Sequence, residues 1–306
     1  RGRIDGGLAV SGQDPGEVSP SAEAVAKPAT KKRSAGRNLP VAIASGVVLY
    51  AWILGSLLWW QWGFIIFLIA GIVVGAFEIW RALTGIGMHV VYTPIAVGTP
   101  LTLVTAHYLA QHNGQLTGAG VLLAGLALMV IACLLGRLRG PVRGFITDAA
   151  ASGLTIGYVP LLVSPLVLLL AQPDGNLRVI YYFILVPCSD TGAYAVGSLF
   201  GKHKMAPHIS PGKTWEGLAG AVALTCIIGA VLGPVMIGAS WWAGAIIGVV
   251  LSLAATVGDL IESMIKRDTG IKDMGRIIPG HGGAMDRLDS LLVAAPLAWL
   301  TMLVLV

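Results

Sequence analysis

Residues 241–268 read WWAGAIIGVVLSLAATVGDLIESMIKRD. Two tryptophans open the run, and no charge follows until Asp259. About 20 apolar residues in a helix suffice to cross the hydrocarbon core of a bilayer. The end of the run then changes character. On a helix, Asp259, Glu262, Ser263 and Lys266 share one face at i, i+3, i+4 and i+7, with Leu260, Ile261, Met264 and Ile265 opposite. The stretch therefore predicts a membrane helix that turns a polar face toward a cavity and an apolar face toward lipid or other helices.

The rest of the chain agrees. Of 306 residues, 56% are hydrophobic and 11% charged, and the mean hydropathy is +0.80. Soluble domains carry roughly 25% charged residues, so this chain could not clothe a water-facing surface. A soluble enzyme and a disordered chain are both excluded. The apolar runs are continuous, unlike the alternating segments of a β-barrel. The fold class expected is all-α, a polytopic integral membrane protein of about nine transmembrane helices. These fall roughly at 40–60, 63–80, 91–110, 117–136, 146–171, 178–200, 216–238, 241–263 and 289–306. Trp59, Trp60, Trp62, Trp80, Trp241 and Trp242 sit near segment ends, as in an interfacial aromatic belt.

Residues 1–38 are rich in Gly, Ser, Pro, Ala and charge and read as a disordered cytoplasmic tail. The first apolar run starts near Val41 and is too long for a cleavable signal peptide. Residues 39–175 would form N-terminal transmembrane helices and 176–306 a catalytic transmembrane domain. With the N-terminus in the cytoplasm, alternation leaves only Arg178 of the 20 Lys and Arg residues on the outer side. That distribution fits the positive-inside rule and explains the net charge of +5 without nucleic acid. Cys133, Cys188 and Cys226 form no CxxC pair and read as small core residues.

The polar chemistry is concentrated late in the chain. Asp190 lies in an apolar segment, within SDTGAYAVGSLFGKHK. Such a carboxylate costs about 2.5–3.5 kcal/mol at mid-bilayer, so it normally faces the protein interior and has a role. In ISPGKTWEG, Ser210, Lys213 and Thr214 offer donors just before a helix, a position that favours phosphate. This is no Walker loop, because Pro207 stands where the first glycine is required. In PGHGGAMDRLDS, Asp286 and Asp289 are spaced i, i+3 at a helix start, behind glycines that let the backbone approach a ligand. Carboxylates converging from two helices suit a hard cation such as Mg²⁺. His203 and His208 lack partners for zinc, and no GxSxG nucleophile or DGxxAR lipid-transferase pattern occurs. Acids for metal beside bases for phosphate, at a lipid boundary, imply phosphoryl or nucleotidyl chemistry on a lipid headgroup.

The run SMIKRDTGIKDMGRIIPGHGGAMDRLD, residues 263–289, resembles the hallmark of CDP-diacylglycerol synthases, the phosphatidate cytidylyltransferases. SDTGAY and ISPGKTWEG resemble that family's upstream motifs, and FEIWRAL (77–83) resembles it loosely. The one departure is Ala284, where a larger aliphatic residue is usual. The resemblance implies a Mg²⁺-dependent reaction of CTP with phosphatidic acid, giving CDP-diacylglycerol and pyrophosphate. It points to Asp259 and Asp286 as the metal-binding pair, with a second, monovalent cation such as K⁺ possible. Asp190 and Asp289 are further candidate ligands. Lys213, Lys266, Arg267, Lys272 and Arg287 are candidates for binding phosphate, with Lys266 also grouped among the catalytic residues. Ser210, Thr214, Glu216 and Asp273 would position loops or cytosine, and His281 would donate to a phosphate or hold the glycine turn. A homodimer in the bacterial cytoplasmic membrane, with its active site toward the cytoplasm, is the expected setting. Two rival readings are a CTP-dependent lipid kinase and a cation transporter using buried acids.

Overall fold

A computed structural model describes residues 39–275, 277 and 282–306, with side chains from residue 44 onward. The expected tail, 1–38, and His281 lie outside the described residues. Helices occupy Leu39–Trp59 (α1), Gln61–Gly85 (α2), Tyr92–Asn113 (α3) and Gln115–Arg137 (α4). Phe145–Tyr158 (α5), Pro160–Val163 (α6) and Pro165–Leu170 (α7) follow, then Gly175–Phe200 (α8). A short hairpin, Lys204–Ala206 (β1) and Ser210–Thr214 (β2), precedes Trp215–Ile237 (α9), Trp241–Asp268 (α10) and Met285–Leu305 (α11).

Helix is therefore found at every apolar segment read from the sequence. Among the described residues, seven stretches are long and apolar enough to cross a membrane: α2, α4, the run Phe145–Leu170, α8, α9, α10 and α11. That composition defines an integral membrane protein. The expected single helix over 146–171 is broken twice instead. Pro160 and Pro165 each occupy the first turn of a new helix, where the missing N–H costs nothing, and each blocks continuation of the helix before it. The two-stranded antiparallel hairpin β1–β2 is a small departure from an all-helical chain.

The late helices pack closely through glycine. A Cβ on Gly229 of α9 or Gly244 of α10 would collide with the carbonyl of the other. Tyr181 of α8, fully buried, seals this crossing by donating its hydroxyl to Gly229 O at 3.1 Å and Gly244 O at 3.3 Å. Small residues permit the close approach that drives helix association in lipid. Ser189 and Ser252 hydrogen-bond between α8 and α10 at 3.0 Å. The early helices bury larger apolar residues, Phe64, Ile65, Ile72 and Leu103 among them, and where α3 crosses α4 a Cβ on Gly98 would meet the Met129 side chain and one on Gly125 that of Thr102. Their main polar tie is Asp148 of α5, which takes Arg137 Nε at 2.6 Å and the His89 backbone N–H at 2.7 Å.

Candidate active site

The polar face expected on the last turns of α10 is present. Ser263 donates to Asp259 Oδ1 at 3.3 Å, and Lys266 donates to Glu262. Ile261 and Met264, opposite, are exposed where lipid would lie. Lys266 also reaches across to α11, with Nζ 3.0 Å from Asp286 Oδ1. The other oxygen of Asp286 accepts the backbone N–H groups of Met274, at 3.1 Å, and Gly283, at 2.9 Å. One carboxylate thus joins α10, the connection after it and the start of α11.

The hairpin brings a second lysine. Lys213, on β2, extends its ammonium to Asp259 Oδ2 at 2.7 Å and to the Thr256 carbonyl at 3.1 Å. Thr214 caps α9, its hydroxyl oxygen accepting the Gly217 N–H at 3.1 Å. Glu216 turns back to the loop before β1, where it accepts the backbone N–H groups of Lys202 and His203 and pairs with the His203 ring. Thr214 thus holds the start of α9, and Glu216 ties that start to the loop before β1. Ser210 forms the far end of the hairpin, paired with Ala206. Arg267 Nε donates to the Ile209 carbonyl at 3.3 Å and ties α10 to the same hairpin.

Asp190 of α8 completes the cluster. It lies within electrostatic reach of Asp259, Asp289, Lys213 and Arg287. Asp289, whose Oδ1 accepts the Ser290 N–H at 2.7 Å, is likewise in reach of Lys213 and Lys266. Asp190, Asp259, Glu262, Asp286 and Asp289 thus gather around Lys213, Lys266 and Arg287. Lys272 and Asp273 stand apart, exposed on the α10–α11 connection, with no side-chain partner among the described residues.

Two participants were missed by the sequence reading. Glu78 of α2, 2% exposed, accepts the N–H groups of Ala284 at 3.1 Å and Met285 at 2.8 Å. It satisfies two of the four donors that a helix N-terminus leaves unpaired, and it does so on α11 beside Asp286. Gly275 and Gly283 crowd against this carboxylate, and a Cβ on Gly283 would lie 2.6 Å from Glu78 Oε2. The glycine there makes room for Glu78. The available signal was the acid itself in an apolar helix, a placement too costly to be idle. The second is Tyr158, buried near Glu262, Asp289 and Asp259. Its hydroxyl and Glu262 Oε1 are buried without a hydrogen-bond partner among the described residues.

The donor chemistry fits a hard divalent cation: oxygens in excess of nearby positive charge, and one orphaned carboxylate oxygen at Glu262. Among the described residues, no three His, Cys, Asp or Glu side chains converge closely enough to form a complete ligand set. Asp259 and Asp286 each hold a lysine instead.

A cavity of about 360 Å³ opens beside this cluster, between α1, α2, α8 and α11. Asp190, Asp286, Arg287 and Asp289 line its polar end, and Ile53, Phe67, Leu68 and Phe183 line its apolar remainder.

Fold and site together define a membrane-embedded enzyme with an ionic cluster drawn from α8, β2, α10 and α11. The model of the cytidylyltransferase family matches residues 40–305, and the chain belongs to that family. It is 37% identical over 316 residues to the phosphatidate cytidylyltransferase of Mycobacterium leprae (strain TN), covering 95% of this chain and 98% of the relative. To the phosphatidate cytidylyltransferase of Mycobacterium bovis it is 36% identical, covering 94% and 95%. To that of Brucella suis biovar 1 it is 31% identical, covering 86% and 93%.

Proposed function

We propose that this chain transfers the cytidylyl group of CTP to phosphatidate, forming CDP-diacylglycerol and releasing pyrophosphate. The observation that carries this reading is the juxtaposition at α8, β2, α10 and α11. Asp190, Asp286, Asp289 and Arg287 line an apolar cavity inside membrane-spanning helices, and the pairs Lys213–Asp259 and Lys266–Asp286 stand next to them. A nucleotide and a lipid phosphate can share that boundary.

Lys213, Lys266 and Arg287 bind phosphate oxygens, and Arg267 and Lys272 add charge at the rim. The lipid phosphate oxygen attacks the α-phosphorus of CTP in line, and the bond to pyrophosphate breaks. The lysines neutralise charge that develops on the leaving group, in a site where low dielectric strengthens each contact. Asp259 and Asp286 would hold Mg²⁺, with Asp190 and Asp289 beside them. When bound, that ion supplies charge neutralisation and orientation of the triphosphate. Lys213 and Lys266, paired here with Asp259 and Asp286, would be free to turn toward phosphate if those carboxylates held the ion. A monovalent cation such as K⁺ would add to the same neutralisation.

The same reading places nine helices across the bacterial cytoplasmic membrane, with the N-terminus and the site on the cytoplasmic side. The basis is the distribution of Lys and Arg. Residues 176–306 form its catalytic half, and a homodimer is the expected assembly. The test is purified protein with CTP, phosphatidate and Mg²⁺ in mixed micelles. Pyrophosphate should appear only when phosphatidate is present, in step with a CDP-lipid. Release of CDP instead would identify a lipid kinase, and cation flux into proteoliposomes without CTP would identify a transporter.

A further inference from the structure

We propose that the connection between α4 and α5 is a binding site for an anionic phospholipid headgroup, built from other elements than the ionic cluster of the late helices and independent of the reaction there. Helix α4 and the run Phe145–Leu170 are both long and apolar enough to span a membrane, so residues 138–144 between them stand at its boundary. The connection presents apolar and cationic groups together. Leu138, Val142 and Ile146 are 67%, 92% and 83% exposed. Apolar side chains so bare at a boundary are accommodated by the acyl region just beneath the headgroups. Arg139 and Arg143, interleaved with them, are exposed too and have no side-chain partner among the described residues. Asp148, the nearest acid in sequence, is already taken by Arg137, whose Nε lies 2.6 Å from its Oδ2. Two positive charges are therefore left uncompensated beside an apolar rim.

The connection is also held in shape. Arg137, the last residue of α4, donates from Nη1 to the Pro141 carbonyl at 2.9 Å and from Nη2 to the Arg143 carbonyl at 3.2 Å. One guanidinium thus ties the connection to α5 through Asp148, which accepts the His89 N–H as well. Gly140 leaves room for that guanidinium, which a Cβ would strike, and Gly144 turns into α5 with a left-handed φ of 84°. A groove of about 520 Å³ results, with Arg137, Leu138, Val142 and Phe145 on its walls. A preformed loop loses little freedom when it binds. Arginine forks match phosphate oxygens, which leaves the rest of the headgroup to decide selectivity. A zwitterionic headgroup brings its own cation against Arg139 and Arg143, and an anionic one does not. Free phosphate would leave Leu138, Val142 and Ile146 in water, so a lipid is the ligand that satisfies both kinds of group.

The probe is phosphatidylglycerol with a photoreactive diazirine near the top of one acyl chain, placed with the full-length protein in vesicles of phosphatidylcholine. Phosphatidylcholine carrying the same diazirine is the comparison. Peptide mapping should find the phosphatidylglycerol label on residues 138–147 roughly twentyfold above the phosphatidylcholine label, and excess unlabelled phosphatidylglycerol should suppress it. Arg139→Gln alone should lower this labelling by roughly fivefold, the weight of one basic residue near an anionic surface. Arg139→Gln with Arg143→Gln should bring the two probes level. Lys202→Gln with Lys204→Gln removes the same charge from exposed positions before α9 and should leave the labelling of 138–147 unchanged. Equal labelling by the two probes in the wild type, or equal losses in the arginine and lysine double variants, would overturn the proposal. Should the arginine variants fail to fold, the ratio of the two probes in the wild type still decides the matter.

Discussion

The early helices, α1–α7, and the late ones, α8–α11, are built on different principles. The late helices cross at glycines, are locked by hydroxyls such as Tyr181, and carry nearly all the ionic groups of the site. The early helices bury bulky aliphatic and aromatic residues, fill their α3–α4 glycine gaps mostly with side chains such as Thr102 and Met129, and bury only a few acids. Yet one of those acids, Glu78, reaches 206 residues along the chain to hold the first N–H groups of α11. The lesson is a division of work. In the proposed reaction the late helices supply the charges, while Glu78 of an early helix holds the start of α11 where some of those charges stand.

Breaking the late half should have the largest effect. Asp259→Asn or Asp286→Asn removes a carboxylate charge shared by a lysine and the proposed metal. Turnover should fall by on the order of 10²-fold or more, while gel filtration of the detergent-solubilised protein is unchanged. Near-normal rates in both variants would break the division at its centre. The early half is tested next by a contrast between two of its acids. Glu78→Gln leaves a buried N–H without its charged acceptor, a loss of about 1.5–3 kcal/mol. It should lower both thermal stability and turnover, the latter by roughly tenfold. Asp148→Asn should lower stability while leaving turnover close to wild type, because Arg137 and His89 lie outside the site. Equal effects of the two on turnover would erase the distinction.

Smaller effects sharpen the picture within the late half. Lys213→Ala should raise the apparent KM for CTP by about tenfold and that for phosphatidate much less, as comparison of the two saturation curves would reveal. His203→Ala, which removes only an exposed partner of Glu216, should change the rate by less than about twofold.

Much of the late half was legible. The i, i+3, i+4, i+7 spacing of Asp259, Glu262, Ser263 and Lys266 fixed one face of α10, and the Lys266–Glu262 pair lies on it. The breaks at Pro160 and Pro165 were in principle readable too, since proline ends a helix at the residue before it. The long reaches were not. Local spacing says nothing of Lys213 crossing from a hairpin to α10, or of Glu78 meeting α11, because both contacts depend on how helices far apart in sequence pack. The hairpin lies between two apolar segments, in a stretch for which no strand was expected. His281 was expected at the glycine turn and lies outside the described residues.

The most direct test of the central claim, that CTP's α-phosphorus meets a lipid phosphate at this cluster, is where each phosphorus goes. Parallel reactions with CTP labelled at the α- or the γ-phosphorus should place the α label in the lipid product and the γ label in pyrophosphate. Recovery of the γ label in lipid, with the α label left in CDP, would contradict the account.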